Sequence, residues 1–238
     1  GFKEEHIDQL AELISQALRA CRPYSYSGRK GNLFRAKVDF DALNDVKVKV
    51  RDLAQSIGID FAPTTHGYPH FYYIDEPPPA GKFAQIEIRG GQADEFLNWA
   101  TTNDVYALSD GQSQATEIHT SSHHCKGAVT RMDGRHYTLT VPAESATQVK
   151  TWLRDLSDGY IMFDAYDLQA KLPGPVIVRD GAAVDKLPAK GEGVSAAKPY
   201  CIGLRGGEGT ALQKFEWPEP TDTPVKKTRL NETHKALN

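Results

Sequence analysis

Apolar residues recur at helical spacing in three windows of the 238-residue chain. Residues 5–20, 42–57 and 145–156 each place apolar side chains three or four positions apart, which makes one face of a helix apolar. The middle window is followed by Gly58, a residue typical of the position just past a helix end. The pattern predicts three amphipathic helices, and ADEFLNWA at 93–100 predicts a shorter one.

Runs rich in β-branched and aromatic residues predict the strands. Glycine, proline and polar residues predict a loop at 21–32 and a turn-rich middle at 101–133. Strands and helices in this order predict an α+β fold, with a mixed sheet or sheets covered by flanking helices. The predicted strands lie at 33–40, 59–62, 70–74, 83–91, 135–142, 159–168, 175–179 and 200–204.

Two parts of the chain have a similar order of elements. VKVRDL at 48–53 and VKTWLRDL at 149–156 each follow a predicted strand that ends in valine. The similarity suggests two related strand–helix–strand lobes, 33–100 and 134–216, although such units share periodicity by necessity. The expected organisation is an N-terminal helix with a basic loop, a core and a proline- and lysine-rich tail: 1–32, 33–216 and 217–238.

Composition narrows the class of protein. No apolar run reaches the length of a membrane span, and the charged N-terminus does not resemble a signal peptide. The three cysteines form no C-x-x-C pair, which favours a reducing compartment, and we expect a cytoplasmic protein with no membrane partner. The net charge of −3 argues against a protein that coats nucleic acid through bulk charge, but allows a local basic surface.

The segment ACRPYSYSGRKGNLFR at 20–35 combines basic and aromatic side chains. Basic residues interleaved with aromatic ones can follow a nucleic-acid backbone and stack on its bases. A solvated loop between a helix and a strand is the alternative for this segment alone. The candidate nucleic-acid contacts are its four basic residues: Arg22, Arg29, Lys30 and Arg35.

Two aspartates, Asp39 and Asp41, stand one residue apart at the expected end of a strand. Residues i and i+2 of a strand point to the same face, so the two carboxylates would lie side by side. Like charges at that distance repel unless a cation lies between them or water surrounds them. The pair therefore predicts a metal site or the N-cap of the next helix, and the two roles are compatible.

Two later segments could supply a phosphate site. His70 begins an aromatic strand after a glycine-containing turn, where backbone amides and a histidine can approach an anion. Asp185 ends a short apolar strand, and Lys198, Arg205 and the glycines of GLRGGEG follow it. Carboxylates that hold Mg²⁺ beside bound phosphate are the arrangement that nucleotidyl transfer requires.

This order of motifs resembles the primase-polymerase superfamily, which includes the small primase subunit and the polymerase domain of bacterial end-joining ligases. VDFDALNDVKVKVRDLAQSIGIDFAPTTHGYPHFYYI is similar to the first two motifs of that family in order and approximate spacing. KPYCIGLRGGEGTALQKFEW resembles the segment after its third motif. The family usually has a serine two residues before the histidine, where this chain has Tyr68.

The resemblance implies template-directed nucleotidyl transfer, with nucleoside triphosphates and a single-stranded template as partners. It implies Mg²⁺ or Mn²⁺ and no organic cofactor, with Asp39, Asp41 and Asp185 as catalytic metal ligands. The implied nucleotide-binding residues are His70, Lys198 and Arg205.

Other residues compete for these roles. Asp164 and Asp133 are alternative third carboxylates, and Ser121 with His123 offers a competing S-x-H motif. The sequence HTSSHHC could bind zinc or form a solvated loop; its candidate ligands are His119, His123, His124 and Cys125.

Two other classes of function also stay open. His136-x-Thr138 has the pattern of two-histidine phosphoesterases, but no second copy is convincing. An RNA-processing nuclease or phosphoesterase with tandem lobes is one alternative. A non-enzymatic interaction or structural protein of a phage or plasmid system is the other.

Overall fold

The computed structural model describes residues 2–59, 80–120 and 123–188. The helices in these ranges are α1 Glu4–Arg19, α2 Phe40–Ser56, α3 Ala93–Ala100 and α4 Ala143–Asp158, with a 3₁₀ turn at Val105–Ala107. The strands are β1 Cys21–Gly28, β2 Gly31–Val38, β3 Phe83–Arg89, β4 Ser113–His119, β5 His124–Asp133, β6 His136–Pro142 and β7 Ile177–Val184. The three main predicted helices are therefore confirmed.

The strands form a two-stranded sheet, β1-β2, and a five-stranded sheet in the order β4-β5-β6-β3-β7. The α+β class is confirmed. The prediction allowed a mixed sheet, and every pair of neighbouring strands in the described ranges is antiparallel. The parallel contact among the described residues is an isolated bridge between Val38 and Ile161. No helix in the described ranges combines the length and apolar character needed to cross a bilayer.

Helix α4 packs its apolar face against the five-stranded sheet. Val149, Trp152, Leu153 and Leu156 are almost fully buried there, opposite strand residues such as Ile86. Each such side chain contributes about 1.5–3 kcal/mol when it leaves water, so this layer supplies a large part of the core's stability. A smaller cluster joins α1 to α2 through Leu13, Val46 and Leu53.

Two predicted loops are strands in the structure. Residues 21–28 form β1, which pairs along its length with β2 through a two-residue turn closed by Gly28 and Gly31. Gly31 has φ +119°, which favours glycine. The turn-rich middle at 101–133 contains β4 and β5. In both hairpins, cross-strand pairing stabilises polar sequences that lack a strand's apolar alternation.

The remaining predicted strands and the predicted domain boundaries compare with the structure as follows. The strand predicted at 159–168 is reduced to the bridge at Ile161. The predicted strands at 70–74 and 200–204 lie outside the described residues, as does 59–62 apart from residue 59. The β1–β2 hairpin spans the boundary expected after residue 32, and β3 lies beside β6 and β7 in one sheet. The division into two lobes stays a prediction.

Lys37 joins the small sheet to the segment that follows α4. Its ammonium group is buried, and it donates hydrogen bonds to the carbonyl oxygens of Gly159 at 2.6 Å and Ala170 at 2.7 Å. Burial lowers the pKa of Lys37, as does Lys171 nearby, while Asp167 acts in the opposite direction. Two carbonyl acceptors therefore compensate for the desolvation of this cation.

The substitution Lys37→Met should destabilise the fold by about 2–4 kcal/mol, because it leaves two carbonyl oxygens without their charged donor. Urea denaturation measures the change as a shift of the midpoint at constant slope. The matched control is Lys30→Met at the exposed hairpin turn, which should change stability by less than about 0.5 kcal/mol. Equal effects of the two substitutions would contradict the structural role of Lys37.

Candidate functional site

Asp39 is the N-cap of α2. Its Oδ1 accepts a hydrogen bond from the backbone N–H of Ala42 at 2.9 Å, and Asp41 lies in the first turn of the same helix. Strand β2 ends at Val38, so the two aspartates do not lie side by side on one face of a strand end, as the sequence predicted. The cap interpretation therefore accounts for Asp39, and the carboxylate of Asp41 is placed to stabilise the helix N-terminus.

Asp185 lies near the N-terminal end of helix α4. Helix α4 runs against the direction of β7, with Lys150 bonded to Asp180 and Ser157 bonded to Val176. Asp185 follows the end of β7 and is exposed, close to where α4 begins.

Asp39, by contrast, lies where α4 ends. Val38, its neighbour, exchanges backbone hydrogen bonds with Tyr160 and Met162, just past that end. A 16-residue helix is about 24 Å long. The structure therefore does not bring Asp185 to Asp39 and Asp41.

The alternative third carboxylates, Asp164 and Asp133, have local structural roles. Asp164 accepts hydrogen bonds from the backbone of Tyr166 and Asp167, and Asp133 accepts one from Arg135 in the β5–β6 turn. These bonds stabilise turns, as aspartates commonly do. The predicted nucleotide-binding residues lie outside the described ranges: His70, Lys198 and Arg205.

The β1–β2 hairpin, called the basic hairpin below, groups the predicted nucleic-acid contacts. Residues 21–38 contain five basic and no acidic side chains. In the antiparallel register Tyr24 lies opposite Arg35, and Tyr26 lies opposite Leu33. Opposite residues share a face of the ribbon, as do residues two apart on one strand, so both tyrosines and Arg35 lie on one face.

Apart from the buried Lys37, the side chains of the basic hairpin are open to solvent or partly so. The tyrosines are half-buried, and their rings stand 6.4 Å apart between centroids with an interplanar angle of 25°. That spacing matches the rise of two strand residues, so the rings follow the strand as two successive π faces. The four basic candidates are all exposed: Arg22, Arg29, Lys30 and Arg35.

The structure separates the histidine- and cysteine-rich segment into two groups. Since side chains alternate across a strand, His119 and His124 lie on the outer face of the β4–β5 hairpin, with Glu117 beside them. Cys125 is buried on the face toward α4. Histidines and cysteine therefore do not form one four-residue zinc site.

The inner group is a hydrogen-bond network at the start of α4. His123 Nε2 lies 3.1 Å from the Ser145 hydroxyl oxygen. Burial raises the pKa of the Cys125 thiol to about 11, with the Ser145 hydroxyl acting in the opposite direction and Glu117 in the same one. A thiol with so high a pKa is protonated at neutral pH, and metals bind the thiolate.

Glu117 and Ser145 are residues that sequence reasoning missed. Glu117 stands two positions before His119, a spacing that places both side chains on one face of a strand. This spacing would have been recognised as a signal if residues 113–119 had been predicted as a strand rather than as part of a turn-rich segment. Ser145 is 22 residues from His123 in sequence, and no local pattern connects the two.

Cys125 should react with a thiol reagent only after unfolding, because its thiol is buried and its pKa is about 11. In a Cys201→Ser background, the half-exposed Cys21 should be modified in the native protein and Cys125 only in denaturant. Folding raises the pKa of the Cys125 thiol from about 9 to about 11. The stability that the protonated Cys125 thiol contributes should therefore be complete below about pH 9 and be lost as the pH rises toward 11. Rapid modification of both thiols in the native protein would contradict this.

The chain matches no family model and no curated protein. Among solved structures, it is similar over part of its length to the glycine cleavage system aminomethyltransferase T from Bartonella henselae. The two are 20% identical, with a TM-score of 0.32, over 45% of this chain and 28% of the other. At that level the likeness indicates nothing about the function of this chain.

Proposed function

We propose that the chain binds single-stranded nucleic acid through the basic hairpin. The observation that carries the proposal is the register of β1 and β2, which sets Tyr24 across from Arg35 and Tyr26 two residues along on the same face. Arginine neutralises phosphate, and a tyrosine ring stacks on a base of any sequence. One face of the hairpin thus offers both contacts that a single strand requires.

The local charge supports this proposal despite the chain's overall charge. The chain has a net charge of −3, yet the hairpin has no acidic residue to oppose its basic ones. Exposed charges beyond about 10 Å are largely screened at 0.1 M salt, so a strand near the hairpin senses mainly the local field. We expect weak, salt-dependent binding through few phosphate contacts.

The aromatic pair favours single strands over duplexes. Bases in a duplex are stacked on one another, and their faces are not available to Tyr24 and Tyr26. In a single strand each base can rest on a ring, which contributes about 1–3 kcal/mol per base. We therefore expect the hairpin to prefer a single-stranded oligonucleotide to the same sequence as a duplex.

The substitutions Tyr24→Ala and Tyr26→Ala should each weaken binding of a fluorescent single-stranded oligonucleotide by about 1–3 kcal/mol, with little change in salt dependence. Arg35→Ala should also weaken binding and should reduce the slope of log K against log salt by about 0.7, the value for one phosphate contact on a single strand. Fluorescence anisotropy at several salt concentrations measures both quantities.

The matched control is Arg179→Ala, which removes an exposed arginine from β7 on the larger sheet. It should leave both affinity and salt slope unchanged. If the parent binds neither single-stranded DNA nor RNA at low salt, the proposal is wrong and a non-enzymatic scaffold is favoured. Equal losses from Arg179→Ala and Arg35→Ala would place the binding surface elsewhere. Cleavage of the oligonucleotide would instead favour the nuclease alternative.

Template-directed nucleotidyl transfer is a second, finer candidate. One observation favours it beyond the resemblance: Asp39 and Asp41 directly follow β2, so two carboxylates lie at the foot of the basic hairpin. A bound template strand would therefore end near a place where a divalent ion could be held. The ion would polarise the α-phosphate and stabilise the leaving pyrophosphate.

If this candidate is correct, the parent should incorporate nucleotides on a single-stranded template with Mg²⁺ or Mn²⁺, and Asp41→Asn should abolish incorporation. Asp41→Asn is preferred to Asp39→Ala, which removes the N-cap and costs about 1 kcal/mol of stability. Asp45→Asn, one turn further along α2, is the matched control and should retain activity. Incorporation that is equal in the parent and Asp41→Asn would exclude this role for Asp41.

A further inference from the structure

Three potential metal ligands meet on the outer face of the β4–β5 hairpin. Glu117 and His119 are two residues apart on β4, and His124 lies directly opposite His119 on β5. The Glu117 Oε2 atom lies 3.6 Å from Nε2 of each histidine. The two imidazole rings are stacked, with centroids 4.9 Å apart and an interplanar angle of 24°. All three ligand atoms lie within 4.8 Å of one another.

The backbone beneath this triad is held on both sides. Thr102 donates its backbone N–H to the Glu117 carbonyl at 3.2 Å, and the Glu117 N–H donates to the Thr102 hydroxyl at 2.9 Å. On the other side β4 pairs with β5 along its whole length. Thr120 and His123 continue the ladder with a bond of 2.7 Å. Ligands on a paired strand keep their spacing better than ligands on a loop.

We propose that Glu117, His119 and His124 form a binding site for a first-row transition-metal dication of the Zn²⁺ class, with one coordination position open to water or substrate. Imidazole nitrogen suits Zn²⁺, Cu²⁺, Ni²⁺ and Fe²⁺, whereas Mg²⁺ and Ca²⁺ prefer oxygen ligands throughout. Two histidines and one carboxylate therefore favour these transition metals over Mg²⁺ and Ca²⁺. The site is independent of the basic hairpin and of nucleic-acid binding.

The distances suit a four-coordinate ion. Zinc binds histidine nitrogen at about 2.0–2.1 Å and carboxylate oxygen at about 2.0–2.2 Å, so two ligand atoms at a tetrahedral angle lie about 3.4 Å apart. Both nitrogen–oxygen separations are 3.6 Å, and all three ligand atoms lie within 4.8 Å of one another, so binding an ion requires the ligand atoms to draw together from these separations. Three protein ligands leave the fourth position of a tetrahedral ion vacant, an arrangement found in catalytic rather than structural zinc sites.

Exposure gives the ion a path to the site. The His119 side chain is 15% exposed, Glu117 31% and His124 50%, so the triad is fixed on one side and open to solvent on the other.

Lys126 is the nearest competitor for the carboxylate. Its ammonium group lies 3.9 Å from Glu117 Oε1, and its side chain is 80% exposed. An exposed pair of this kind contributes little, so a dication can displace it. Removing Lys126 takes a positive charge away from the ion without removing a ligand. We therefore expect Lys126→Ala to bind metal as tightly as the parent or more tightly.

The test is competition for Zn²⁺ between the untagged full chain and a fluorescent chelator, repeated with Co²⁺ to record the d–d absorption of the bound ion. The parent should bind one Zn²⁺ ion per chain tightly enough to take it from the chelator. His119→Ala and His124→Ala should each weaken binding at least about 100-fold, and Glu117→Gln about 10–100-fold. About a hundredfold excess of Mg²⁺ should not displace the bound Zn²⁺.

His136→Ala is the matched control, because in the described part of the chain His136 has one carboxylate neighbour, Glu87 at 3.9 Å, and it should not contribute. Its Zn²⁺ affinity should equal that of the parent. Circular dichroism and melting without metal check that each variant folds, and a given concentration of Zn²⁺ should raise the melting temperature of the parent more than that of Glu117→Gln.

Should His119→Ala not fold, Glu117→Gln and His124→Ala decide, since these side chains are more exposed. Parent-like affinity in both, a lack of saturable binding by the parent, or displacement by Mg²⁺ would each overturn the proposal.

Discussion

The packing of α4 against the five-stranded sheet is the interaction on which the other described parts depend. Trp152 is buried at its centre and meets the ring of Phe40 edge to face, with centroids 4.9 Å apart. Phe40 is the first residue of α2, so this contact ties the small sheet and its helices to the larger sheet. Removing the indole would open a cavity, which costs about 3–5 kcal/mol in a well-packed core. The basic hairpin depends on that connection for its position relative to the larger sheet.

The helices could be predicted from the sequence because their stabilising contacts repeat every three or four residues. Helix α4 buries nearly every position that its apolar periodicity marked, and α2 begins where Asp39 can cap it. The two hairpins could not be predicted in this way. Their stability comes from a partner strand rather than from local preference, and the residues of β1 and β4 are largely polar.

The candidate sites, too, could be predicted from the sequence only in part, because strand pairing decides which side chains meet. The basic residues of 20–35 were recognised from composition, but only the register shows which of them share a face with the tyrosines. The Glu117–His119–His124 triad depends on pairing His119 with His124, and a slip of one residue would turn one histidine to the other face. Asp185 was assigned by its order in the chain, which says nothing of its distance from Asp39.

The two hydrogen bonds between Thr102 and Glu117 have a consequence for association between molecules. Strand β4 is an edge strand among the described residues, and unpaired backbone groups at an edge can recruit a strand from another chain. Thr102 occupies part of that edge with its own backbone and hydroxyl groups. At the opposite edge, β7 carries the charged pair Arg179 and Asp180, which disfavours addition of an apolar strand. Both edges of the sheet, as far as the described residues form it, therefore carry features that disfavour pairing with a strand of another molecule.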